Sequence, residues 1–148
     1  MTPGLTRRKA TNFIAIHCSA SVPDPITGRV TIDRWHRQRG FLMIGYHYVI
    51  KTDGAIEPGR DADSIGAHVE GYNANSIGIC LVGGVNKINV PTNNFTQAQL
   101  VSLLTLLKEL RTKHPLAVIQ GHRDFPNVAK ACPSFDVRAW LKTVGNFK

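Results

Sequence analysis

The chain has 148 residues, 43% of them apolar, with 18 Lys and Arg against 10 Asp and Glu for a formal charge of +8. This suits one globular domain with its own core and excludes a disordered, collagenous or coiled-coil chain; no run approaches the roughly 18 apolar residues of a membrane span. Three cysteines (Cys18, Cys80, Cys132) and an N-terminus with basic residues but no apolar segment behind them point to reduced thiols and no export signal.

Residues 1–11 are expected to form a flexible basic arm, and 12–148 a single domain. Phe13-Ile14-Ala15-Ile16-His17 predicts a buried strand ending in a histidine. Pro23, Pro25 and Gly28 mark a loop, after which Thr31 can cap a short helix through about Gln38 with Ile32 and Trp35 on its inner face. Tyr46 to Lys51 is β-rich and alternating, and Asp53-Gly54 is a hairpin signal leading into Ala55–Glu57. Residues 60–75 are polar and loop-like, and Ser76–Val82 is a second buried strand closed by Gly83-Gly84. The longest helix is predicted from Thr96, whose hydroxyl makes a capping-box pattern with Gln99. Leu100, Leu103, Leu104 and Leu107 form its core stripe, and Pro115 blocks its continuation. Ala117–Gln120 is a third buried strand, and Ser134 or Asp136 can cap a last helix carrying Val137, Trp140 and Leu141. The order predicts an α/β fold with a single mixed β-sheet flanked by about three helices.

His17, His122 and Cys132 stand where predicted strands give way to loops, the usual place for site residues. Zinc accepts imidazole nitrogen and thiolate sulfur, and three protein ligands leave a fourth position open. Taken alone, a strand-end histidine is more often a hydrogen-bonded surface group and a single cysteine a small buried residue. The spacing also matches no zinc finger or HExxH helix. Lys130 precedes Cys132 by two, so in extended backbone both leave on one side, placing an ammonium where an oxyanion would develop; a solvated loop lysine is the bland alternative. Tyr46 and Tyr48 are expected on one strand face with His47 on the other. A phenol there can polarise a carbonyl or orient water, or simply pack. His36 reads as solvent-facing, His47 as a packed core histidine, His114 as a helix-end charge and Cys80 as buried and inert.

The stretches FIAIHCSA, IGYHYVIKTDG, GRDADSIGAHVEGYNANSIGICLVGG and GHRDFPNVAKACPSFD, in that order, resemble the zinc amidases related to peptidoglycan recognition proteins. The likeness is greatest to the small single-domain phage lysozymes that are N-acetylmuramoyl-L-alanine amidases, and it runs from about Phe13 to Trp140. It implies that His17, His122 and Cys132 bind one zinc ion and that Tyr46 and Lys130 are catalytic, holding water and the substrate carbonyl. It further implies that His68 binds substrate at the cleft rim, with Asn73 beside it. Peptidoglycan is the implied partner, and the implied reaction is hydrolysis of the amide between N-acetylmuramic acid and L-alanine by a monomer whose catalytic domain spans 12–148. The non-catalytic recognition proteins tend to lack the cysteine ligand, so Cys132 favours an active enzyme over a peptidoglycan-binding module. Ser134 stands where many amidases have Gly, a departure that the phage lysozymes share.

Some phage lysozymes also inhibit the phage's own RNA polymerase, so the resemblance implies a polymerase as a second candidate partner. It also implies accumulation in the host cytoplasm and action on the wall after release through the inner membrane. Direct nucleic-acid binding is not expected, because no helix-turn-helix, finger or aromatic-interleaved basic motif accompanies the charge. The +8 then suits attraction to anionic envelope surfaces.

Overall fold

A computed structural model describes residues 1–145; the last three residues of the domain expected over 12–148 lie outside them. Five strands form one sheet: β1 (Phe13–Cys18), β2 (Tyr48–Ile50), β3 (Ile56–Pro58), β4 (Ser76–Leu81) and β5 (Val118–Gly121). Their spatial order is β3-β2-β4-β1-β5, with all neighbours parallel except the β2–β3 hairpin. Three helices, α1 (Arg29–Gln38), α2 (Gln97–Lys113) and α3 (Val137–Val144), complete the expected mixed α/β architecture.

The continuous apolar runs of β1 and β4 follow from burial on both faces. Period-two alternation splits them unequally. Ile14, Ile16, Ile77, Ile79 and Leu81 join Leu103, Leu106, Leu107 and Leu110 of α2 and Val137 and Leu141 of α3 in the main core. The opposite face receives Ala15 beside Gly78 and His17 beside Cys80 in the β1–β4 register, two of these four positions being filled by the small residues alanine and glycine. That face is where room is left for a site.

The Thr96 capping box forms as expected, Thr96 Oγ1 accepting from the Gln99 amide at 3.1 Å and Gln99 Oε1 accepting from the Thr96 amide at 2.9 Å. Gln99 is fully buried, and its Nε2 also donates to the carbonyls of Ile50 and Val82. Gln99 therefore sets the inner face of α2, which continues through Leu103, Leu106, Leu107 and Leu110, while the expected Leu100 and Leu104 are only half-buried. The first helix starts at Arg29 rather than beyond Thr31, because Glu57 Oε1 reaches across from β3 to accept from the Arg29 amide at 2.9 Å. Asp136, not Ser134, caps α3.

The arm expected over residues 1–11 is docked for much of its length. The Arg8 guanidinium donates to the carbonyls of Ser64 and Ala62 and to Thr11 Oγ1, its amide donates to Asp63 O, and the Thr2 amide pairs with Asp61. The Asp61 carboxylate and the carbonyls of residues 62–64 are what hold it. No helix among the described residues is long and apolar enough to cross a membrane.

Candidate active site

The sheet register brings two of the three candidate ligands together. Ile16 pairs with Gly121 in the parallel β1–β5 ladder, so the residues that follow, His17 and His122, leave adjacent strand ends side by side. Their ring centroids are 4.6 Å apart. The third, Cys132, comes from the loop before α3, which is tied back by an Arg123 amide to Cys132 carbonyl bond of 2.9 Å. Cys132 Sγ stands 4.0 Å from His17 Nδ1, and one ligand atom from each of the three residues lies within 4.8 Å of the others. The Cys18 amide donates to Cys132 Sγ at 3.2 Å, a bond that favours negative charge on the sulfur.

This cluster lies in a cleft of about 1210 Å³. Trp35, Arg39 and Phe41 line it on one side, and the Val69–Asn73 and Pro126–Lys130 segments also border it. The Arg39 guanidinium sits 5.0 Å over the Phe41 ring. The volume exceeds the roughly 300–1,000 Å³ of ordinary small-molecule pockets and suits a branched or polymeric ligand.

Burial, then the charges of His68, His122 and Lys130, holds His17 neutral, well below the usual imidazole pKa. His122 is lowered by burial and then by Lys130. Both imidazoles thus offer lone pairs at neutral pH. Contact with the Cys18 thiol and then burial push the Cys132 thiol up, so forming the thiolate needs a cation beside it. Two neutral imidazoles and a thiol that a cation would ionise, converging on one point, make a donor set suited to a single zinc ion. The Tyr46 phenol is raised well above its usual value, chiefly by burial, and stays a hydrogen-bond donor; its ring centroid is 5.0 Å from that of His17. Lys130 is exposed on the loop that borders the cleft.

The cleft thus gathers the residues singled out in the sequence: His17, Tyr46, His68, His122, Lys130 and Cys132, with Asn73 beside His68. Both ring nitrogens of His68 face protein groups, Nδ1 toward His17 Nε2 at 2.9 Å and Nε2 toward Ser76 Oγ at 3.3 Å. Asn73 Oδ1 accepts from the amides of His68 and Val69, so that oxygen holds the loop.

Two expectations need correction. Tyr46 and Tyr48 lie on different sides, Tyr48 against the α2 core and Tyr46 against the cluster that includes Ile32 of α1; the regular strand begins at Tyr48, and between the two His47 folds its ring back onto the Gly78 amide. His36 is buried rather than solvent-facing: its Nδ1 accepts from the Gly45 amide at 2.8 Å, steadying the segment that carries Tyr46. The helical spacing of Ile32 and His36 was a signal for this. His47 is the expected packed histidine, accepting at Nδ1 from the Gly78 amide and donating from Nε2 to Ser64 O.

A family model described as N-acetylmuramoyl-L-alanine amidase matches residues 7–135. The endolysin of Enterobacteria phage K11 is 46% identical over 138 residues, covering 93% of this chain and 90% of that protein. The endolysin of Escherichia phage T7 is 46% identical over 134 residues, covering 90% of this chain and 87% of that one. Among solved structures, the endolysin N-acetylmuramoyl-L-alanine amidase from Clostridium intestinale URNW is similar with a TM-score of 0.80 at 30% identity, covering 97% of this chain and 88% of that one.

Proposed function

The chain belongs to the N-acetylmuramoyl-L-alanine amidase family, and from that premise we propose that it is a zinc-dependent endolysin. In this reading it cuts the amide between the lactyl group of N-acetylmuramic acid and L-alanine of the stem peptide, within a single catalytic unit over 12–148. The observation that carries it is the convergence of His17, His122 and Cys132 within 4.8 Å in the cleft that Tyr46 and Lys130 also line.

His17, His122 and Cys132 would hold the zinc. Bound there, zinc would supply Lewis acidity that polarises a carbonyl and lowers the pKa of water toward ~7. The residues around it then have separate tasks. The Lys130 ammonium meets negative charge as it develops on the carbonyl oxygen. Tyr46, kept protonated by burial, donates to that oxygen or to the attacking water. His68 borders the bound substrate while its nitrogens stay engaged with the protein. Trp35 and the Arg39–Phe41 pair offer an apolar and cationic wall for a glycan carrying an anionic peptide.

The test is the chemistry of the products. Purified peptidoglycan treated with the protein should gain free L-alanine amino termini with no new sugar reducing ends. New reducing ends without new amino termini would refute the amidase assignment for this substrate. The RNA polymerase remains a separate candidate partner, tested by co-elution and by its loss when the exposed Arg7 and Lys9 are replaced.

A further inference from the structure

Behind His17, the hydrogen bonds run with a single polarity. Ser76 Oγ lies 2.7 Å from Tyr72 O and 3.3 Å from His68 Nε2. A hydroxyl has one proton to give, and the nearer carbonyl, which can only accept, takes it. Toward His68 the Ser76 oxygen is therefore an acceptor, which puts the His68 proton on Nε2 and leaves Nδ1 as a lone pair. That lone pair faces His17 Nε2 at 2.9 Å, so the proton between the two rings belongs to His17. His17 Nδ1 is then bare, and it is the nitrogen that faces Cys132 Sγ.

The position of His68 is set independently of His17. Asn73 Oδ1 holds the backbone amides of His68 and Val69 at 2.7 and 2.8 Å. The ring itself occupies a slot against which two glycines pack closely. A Cβ at Gly78 would come within 2.7 Å of His68 Cγ and Nδ1, and one at Gly66 within 2.7 Å of Cδ2. His47, bonded to the Gly78 amide, packs beside the same slot.

We propose that His68 is a positioning residue that locks His17 in the Nε2–H tautomer, with Ser76 setting the polarity and Gly66 and Gly78 providing the slot. This rests on the reading of His17 as a metal ligand, and it adds the device that presents the correct nitrogen. A ligating imidazole is normally oriented by a partner on its other ring nitrogen, and loss of such a partner typically weakens metal affinity about 10–100-fold.

The test uses full-length protein carrying ¹⁵N-labelled histidine, with NMR of the zinc-free form to read tautomers and chelator competition to read zinc affinity. In the wild type, His17 and His68 should both be Nε2–H tautomers. His68→Leu fills the slot without an acceptor and should mix the His17 tautomers and weaken zinc binding about 10–100-fold. His68→Asn returns an acceptor oxygen near the Nδ1 position and should recover part of that loss, which a purely space-filling role would not predict. Ser76→Ala should mix the tautomers of His68. The proposal is overturned if zinc-free His17 carries its proton on Nδ1, or if His68→Leu keeps wild-type zinc affinity. It is also overturned if His68→Asn binds zinc no better than His68→Leu. A wild type with the predicted tautomers that bound no zinc would instead sink the ligand reading while leaving the tautomer lock supported.

Discussion

Replacing Gly78 with alanine sets two effects of opposite sign against each other. In a strand interior, alanine ordinarily gains about 0.5–1 kcal/mol over glycine by restricting the unfolded chain. Gly78, however, lies on the site face of β4, paired with Ala15, and its amide and carbonyl bond to Nδ1 and the amide of His47 at 2.9 Å each. The new Cβ would stand 2.7 Å from His68 Cγ and Nδ1 and 2.9 Å from Cδ2, well inside the 3.4 Å where ordinary contact begins. The ring has little freedom to move, because Gly66 also lies close against it and Asn73 pins the backbone. Overpacking of this kind costs about 1–3 kcal/mol, so Gly78→Ala should lose stability on balance, by about 1–2 kcal/mol. Urea unfolding of the zinc-free protein reads that term, and chelator competition reads the accompanying loss of zinc affinity as His68 is displaced. A Gly78→Ala protein at least as stable as the wild type, with unchanged zinc affinity, would refute the reasoning about the slot.

Tyr46→Phe and Lys130→Ala should each retain zinc and lose about 10²–10³ in kcat on peptidoglycan, the usual cost of removing a transition-state donor; loss of metal in either would reassign that residue. Arg8→Ala removes the charged donor to the carbonyls of Ala62 and Ser64, the latter keeping only its bond from His47 Nε2, and should cost about 1–3 kcal/mol in urea unfolding; an unchanged midpoint would mean the arm is not anchored there. His36 and His47 are each lowered to about 4, chiefly by burial. Between about pH 6.5 and 4 the unfolded chain binds protons that the native state refuses. Stability should therefore be full above pH 6.5 and fall by about 1.4 kcal/mol per pH unit for each histidine as pH drops through that window. Flat stability from pH 7 to 5 would contradict the burial of both.

The residues proposed to do the chemistry were more legible than those that hold them. His17, His122 and Cys132 stood out at the ends of predicted elements, and the parallel β1–β5 register explains how the first two come together from distant positions. Short apolar runs marked β1, β4 and β5 to within a residue or two, and in β1 and β4 burial on both faces leaves little room for polar side chains. The supports were harder to read. Arg8 is fixed by carbonyls more than 50 residues away, which carry no side-chain signature. The α2 stripe was misplaced because a glutamine, Gln99, occupies an inner position and satisfies two strand-end carbonyls there. Tyr46 departs from the strand alternation ahead of the regular strand, which begins two residues later. Gly66 and Gly78 gave no sign that a ring would pack against them both, since such contact is a property of the assembled fold.

The central claim is that one zinc ion, held by His17, His122 and Cys132, is what makes this cleft an amidase. The most direct measurement is metal content by mass spectrometry on the same protein samples assayed for stem-peptide release, for the wild type, the chelator-stripped wild type and Cys132→Ala. The account predicts one zinc per chain in the wild type, loss of both zinc and release on stripping, recovery of both when zinc is returned, and neither in Cys132→Ala. Full release by stripped protein, or by Cys132→Ala with stoichiometric zinc, would contradict it.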